Sequence, residues 1–229
     1  NGILPLSKSC DTVGTICKTV KDTKILFSIL SNKKNNQELD FFKKIKIGFI
    51  YDFNFNQLDN YSKKKIELLN SKITRLSIDV DYIKVPEFQE INDFFRSHGS
   101  LVNYEAWRCW KTIIENNLNS IDPNVADRFL IGKNMTHRNI NNIRKKVKNL
   151  KNNILKMFEN YDFFLLPTIA SGPPTIKDLR NKKKYHFYNN STLDNTRGVN
   201  IFDLCAISLP LKINKRRWLS LSIITKKNN

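Results

Sequence analysis

Four consecutive apolar residues, Phe163 to Leu166, halted by Pro167, restrict what this chain can fold into more than any other stretch. The run is too short for a helix and apolar on both sides, which is the pattern of a strand covered on both faces of a sheet. An amphipathic helix ends near Met157 just before it. After it, Pro167, Gly172, Pro173 and Pro174 hold an extended loop. Ligands of α/β sheets gather at loops leaving the carboxyl ends of strands. Met157 to Pro174 therefore reads as a pocket wall, and on its plainer account as a core strand that needs a stop.

The segments upstream fit an α/β layer. Thr19-Val20-Lys21-Asp22 has the form of a capping box, followed by Ile25, Leu26, Ile29 and Leu30 on one helical face. Asn32 to Asn36 reads as a polar loop. Ile45, Ile47, Phe49 and Tyr51 alternate around Gly48 as a strand. Asp59 or Asn60 caps a helix with the stripe Ile66, Leu69, Ile73 and Leu76. Ile78, Val80 and Tyr82 form another strand, ended by Pro86. Strand, helix, strand at this spacing is a crossover unit.

Helical periodicity then runs from Leu101 through Ala106 and Trp107 to Ile114. Asp122-Pro123 caps a further helix, for which Gly132 reads as the stop. Thr136 caps the longest one, with Ile140, Ile143, Val147, Leu150, Ile154 and Met157 in three-four spacing. Lys177 to Tyr188 is basic and reads as an exposed loop. Asn195 to Pro210 reads as a short helix turning into a second buried strand, and Trp218 to Thr225 as one more strand. No repeat or domain boundary interrupts residues 1–229, so they form part of a single domain.

Composition excludes several classes. No segment approaches the roughly 18 to 20 apolar residues of a membrane span. The chain opens on Asn1, which leaves a targeting segment upstream open, and we expect a cytoplasmic protein. Cys10, Cys17, Cys109 and Cys205 form no Cys-x-x-Cys pair, and three lie among apolar residues, as small buried thiols do. His98, His137 and His186 are isolated, so no zinc site is spelled out. The net charge of +18 comes from lysines spread along the chain amid abundant Asn, Ile and Phe. This pattern fills solvated positions and predicts weak, non-specific polyanion binding rather than dedicated recognition.

Gly2-Ile3-Leu4-Pro5-Leu6-Ser7-Lys8-Ser9-Cys10-Asp11-Thr12-Val13-Gly14, followed by Lys18-Thr19-Val20-Lys21-Asp22, resembles the amidase signature family. Cys10 stands where that family has Leu, and Thr15 where it has Pro. Further landmarks follow in family order. They are Glu105-Ala106, Asp122-Pro123 leading to Arg128 and Gly132, Tyr161-Asp162 through Pro167-Thr168 and Pro173-Pro174, and Asn195-Thr196 through Leu204 to Pro210.

The resemblance implies an α/β fold, a mixed sheet flanked by helices, incomplete on its N-terminal, catalytic side. It implies carboxamide hydrolysis by a Ser–cis-Ser–Lys triad with a backbone oxyanion site and no metal or organic cofactor. That lysine and the glycine-rich serine segment precede the Gly-x-x-Pro-Leu-Ser motif, which begins here at residue 2. Among only seven glycines there is no Gly-x-Ser-x-Gly. Ser7-Lys8-Ser9 falls on a structural motif of the family and is not a triad. The expectation is the later part of an amidase, inactive by itself and without catalytic residues of its own.

Substrate-side candidates are Arg128, for a substrate carboxylate or a structural contact, and Thr168 and Ser171, lining an acyl site. Tyr104, Trp107 and Trp110 line a pocket or fill core. Asp11 is expected to pair with an arginine upstream. Partners implied are a small-molecule amide when the other half is present, with a homodimer left open. Two alternatives stay open, a non-enzymatic basic nucleic-acid-binding protein and a tRNA-dependent amidotransferase A-type subunit. After Pro210 the stretch from Lys212 to Trp218 is basic and glycine-free, unlike the family.

Overall fold

A computed structural model describes residues 2–32, 45–52, 55–76, 78–169, 171–215 and 218–227. The expected loop at Asn32 to Asn36 lies outside these beyond Asn32. The helices are α1 (Val20–Ser31), α2 (Asn60–Thr74), α3 (Pro86–His98), α4 (Leu101–Asn116), α5 (Pro123–Lys133), α6 (His137–Met157), α7 (Ile176–Leu179) and α8 (Lys182–Ile201). The strands are β1 (Lys46–Ile50), β2 (Asp79–Ile83), β3 (Phe163–Pro167), β4 (Leu204–Lys212) and β5 (Trp218–Lys226).

The sheet is mixed, in the order β2-β1-β3-β5-β4. β1 runs parallel to β2 and β3, and β5 runs antiparallel to β3 and β4. β3 is therefore the middle strand. Phe164 and Leu166 point into a core shared with Phe88 and Ile91 of α3, Ile143 and Ile154 of α6, and Phe202. Leu165 points the other way, into a core with Phe49, Ile66 of α2 and Leu221. Burying each such side chain stabilises the fold by roughly 1.5–3 kcal/mol, which is why an unbroken apolar run belongs at the sheet centre.

The caps fall where the side chains require them. Thr19, Asp59, Asp122 and Thr136 each accept a backbone N–H of the first helical turn. Thr136 and Asn139 form a reciprocal capping box.

Five expectations are corrected. Pro86 does not merely end a strand. It is the first residue of α3, whose Phe88, Ile91, Asn92 and Phe95 share one buried face. Gly132 is not a stop, since α5 continues to Lys133 and ends at Asn134. Residues 177–188 are helical, in α7 and the first part of α8. β4 is an edge strand, half-exposed along its length, rather than a buried one. None of the four cysteines is buried; Cys109 and Cys205 are exposed.

Candidate functional site

The Pro5–Asp11 segment is held as a tight turn on α4. Ser7 Oγ donates to Glu105 at 2.7 Å, Ser9 Oγ at 2.5 Å, and the Ser9 amide at 2.9 Å. Asp11 accepts the amides of Leu6 and Ser7. It is thus a local turn former, whatever else it pairs with. Trp110 donates its indole N–H to the Pro5 carbonyl at 2.7 Å, and Trp107 is buried under Lys133. The two tryptophans anchor and fill. Both seryl hydroxyls of Ser7-Lys8-Ser9 are committed to Glu105, and the Lys8 side chain is exposed.

Desolvation alone would push the Glu105 carboxyl up. The hydrogen bonds from Ser9 and Ser7, with the charge of Arg144, outweigh it and hold the group below its ordinary value. A depressed carboxyl contributes stability above its unfolded pKa of about 4.3 and loses it as pH falls through the folded value. Acidification below about pH 4 is therefore expected to release residues 5–11 from α4. The check is a Trp110-dependent fluorescence transition at constant helical circular dichroism, flattened in Glu105→Gln.

An open cleft of about 1730 Å³ separates residues 10–27 from β4, with α5 and α8 as its other walls. Neither Trp107 nor Trp110 lines it. Arg128 is half-buried on this wall, and its carbonyl accepts from Asn103 Nδ2 at 2.9 Å. At the exit of β3 the hydroxyls of Thr168, Ser208 and Ser222 meet, Thr168 Oγ1 lying 2.8 Å from each of the other two. Ser208 and Ser222 line the cleft and Thr168 stands behind them. Ser171 turns towards α8, its Oγ 3.2 Å from Ser191 Oγ. The fold therefore brings Arg128 and the Thr168 hydroxyl cluster to one cleft and puts Ser171 outside it. Cys10 also faces the cleft. Burial raises its pKa, Ser7 partly offsets this, and Glu105 and Asp11 add to the rise. A protonated thiol of this kind is not an activated nucleophile.

A polar stripe on α8 completes the wall. Ser191, Asp194, Asn195 and Gly198 are buried at helical spacing. Asp194 accepts from Arg96 of α3 and, at 2.9 Å, from Arg197, which also donates to Asn92 at 2.7 Å. Burial pushes the Asp194 carboxyl up and the Arg197 guanidinium down, each opposed by the other's charge. Asn195 donates to the Pro167 carbonyl at 2.5 Å, tying α8 to the end of β3. Asn200 donates to the Cys10 carbonyl at 2.9 Å, tying it to the N-terminal turn. Hydrophobic periodicity passes over such a stripe; buried Ser, Asp and Asn in a three-four pattern were its only signal. Among the described residues no group of three or more His, Cys, Asp or Glu is arranged to hold a metal ion.

The amidase family model matches residues 1–228. The chain belongs to the amidase family. Among curated amidase-family relatives it is 23% identical to 2-amino-5-chloromuconic acid deaminase of Comamonas testosteroni, over 94% of this chain and 47% of that protein. It is 24% identical to the A-type subunit of glutamyl-tRNA(Gln) amidotransferase from Mycoplasma genitalium, over 81% of this chain and 47% of that one. A crystal structure of an amidase superposes with a TM-score of 0.82 at 19% identity, covering 99% of this chain and 51% of the other. The chain spans about half the length of the curated amidase-family relatives it matches, 47% in each. Its mixed sheet with flanking helices is the fold of those amidases. No helix among the described residues is long and apolar enough to cross a membrane.

Proposed function

We propose that residues 1–229 are the later, substrate-binding part of an amidase-type carboxamide hydrolase, with the Ser–cis-Ser–Lys groups supplied from outside them. The observation that carries this reading is the cleft wall. Its cation Arg128 and its hydroxyl cluster Thr168, Ser208 and Ser222 flank the carboxyl end of the middle strand. A guanidinium of this kind pairs with a substrate carboxylate, while the hydroxyls both donate to a carbonyl and accept from an amide N–H. Neither Ser7 nor Ser9 serves as nucleophile in this reading, because Glu105 takes both hydroxyls. Thr168 acts by orienting Ser208 and Ser222, and Ser171 by bracing the loop against α8.

The test has two arms. Residues 1–229 with a panel of carboxamides are expected to release ammonia no faster than buffer; measurable turnover would refute the absence of a triad. Binding is followed by NMR titration with succinamate against its uncharged methyl ester. Arg128→Ala is expected to remove the preference for the carboxylate, a loss of about tenfold or more in affinity, as for a charge-assisted hydrogen bond of about 1.5–3 kcal/mol. An unchanged preference refutes the role given to Arg128.

The Mycoplasma genitalium relative favours a second reading, in which the chain works within a complex, as part of an A-type subunit of an amidotransferase. The charge of +18 suits tRNA, but also produces counterion-driven binding to any polyanion. tRNA binding that persists at about 0.5 M salt supports this second reading, and binding that vanishes there leaves only non-specific attraction.

A further inference from the structure

We infer that the free edge of β4 and the uncovered apolar side of α1 are one docking surface, and that its occupant is the other half of an amidase fold. This occupant is an α/β unit of about this chain's length that adds a strand to β4 and an apolar face to α1. The inference rests on the amidase reading and extends it from the cleft to the surface around it.

The two edges of the sheet differ. β2, at one end, has five residues, and Asp79, Asp81 and the Asp81–Lys46 ion pair stud it with charge. Short, charged strands are how proteins keep an exposed edge from pairing. β4, at the other end, has nine residues and bonds to β5 on one side only. Its exposed positions include Cys205, Ala206 and Ser208, none of them charged. A long, weakly charged edge of this kind invites a further strand.

α1 is as incomplete as β4. It buries no residue at all. Ile25 is 49% exposed, Phe27 53%, Ile29 67% and Leu30 63%, and Ile16 just before it is fully exposed. A helix of this length is marginal in water by itself, and helices in proteins depend on packing of their apolar face. So large an apolar patch marks an interaction site.

α1 and β4 face each other. Val20, Thr23 and Phe27 on one side and residues 204–210 on the other line the same cleft. At about 1730 Å³ it exceeds the roughly 300–1,000 Å³ of small-molecule pockets. In the relatives and the amidase crystal structure, the matched region sits in a chain about twice as long. A unit of matching size is thus what the surface lacks. A second copy of this chain fits poorly, because it would bring a second charge of +18 to the contact.

The test compares residues 1–229 alone with the same chain joined, as one polypeptide, to the part of the Comamonas testosteroni relative that the match leaves uncovered. Joining the two raises their effective concentration to about the millimolar range, so weak docking still registers. Hydrogen exchange at β4 is expected to slow by about tenfold or more in the joined protein while β3 stays protected in both. Phe27→Asp with Ile29→Asp should restore fast exchange at β4 without altering β3, and Lys145→Glu on the far face of α6 should not. Unchanged β4 exchange in the joined protein overturns the inference. So does a discrete dimer of residues 1–229 in which β4 and α1 are already protected. Ammonia release keeps the outcomes separate: protection without hydrolysis leaves the docking surface standing and sinks the hydrolase reading. Carboxylate binding through Arg128 with an unprotected edge does the reverse.

Discussion

Gly132→Ala is expected to destabilise the chain by about 3 kcal/mol, near the upper end for overpacking. Helix propensity alone predicts the opposite sign, since Ala is about 1 kcal/mol better than Gly inside a helix. The reason is contact between helices. A Cβ on Gly132 would sit 2.0 Å from the backbone oxygen of Asn103 and 2.8 Å from Trp107 Cβ. Neither neighbour is a flexible tip that can swing aside, so α5 must lift off α4. That movement would also stretch the bond from Asn103 Nδ2 to the Arg128 carbonyl and displace the cleft's cation. Urea unfolding provides the measurement, with Gly172→Ala as the control, because a Cβ there meets nothing within 4 Å. Equal stability of Gly132→Ala and the parent would mean that the close α4–α5 approach is wrong.

Asp194→Ala is expected to cost about 3–5 kcal/mol, the range for breaking a buried pair by removing one partner. Asp194 is 3% exposed. Its loss leaves the guanidiniums of Arg96 and Arg197 together without their carboxylate, and only Asn92 remains for Arg197. The exposed pair Lys182–Asp127 offers the comparison, since Asp127→Ala should change stability by less than about 1 kcal/mol. Thermal unfolding of the two variants side by side tests the claim. A small effect at Asp194 would mean that α3 and α8 are held by their apolar contacts, chiefly Phe88 against Phe202, and not by this network.

Much of this was legible from residues alone, and for identifiable reasons. The middle strand was legible because an apolar run with no polar face has one place to go. The caps at Thr19, Asp59, Asp122 and Thr136 were legible because capping is a bond between near neighbours. α3 was hidden by a proline, which ends a strand and opens a helix with equal right. α8 was hidden because its buried face is made of Ser, Asp, Asn and Gly, whose interior positions are stabilised by partners distant in sequence. Arg128 was picked out by motif, and the structure sets it on the cleft wall. The part Thr168 has in the hydroxyl cluster depended on β4 and β5, about 40 and 54 residues further along.

Patterns of neighbouring residues determined the α/β class, the strand at the centre of the sheet, most helix starts and the resemblance to amidases. These depend on periodicity and local hydrogen bonding, which the order of residues specifies directly. Tertiary structure alone decided that Gly132 is a contact rather than a stop, that β4 is an edge, that α1 is uncovered, and that Glu105 holds the serines. Each of these turns on which distant surface arrives next to a residue, and that depends on the packing of the whole sheet.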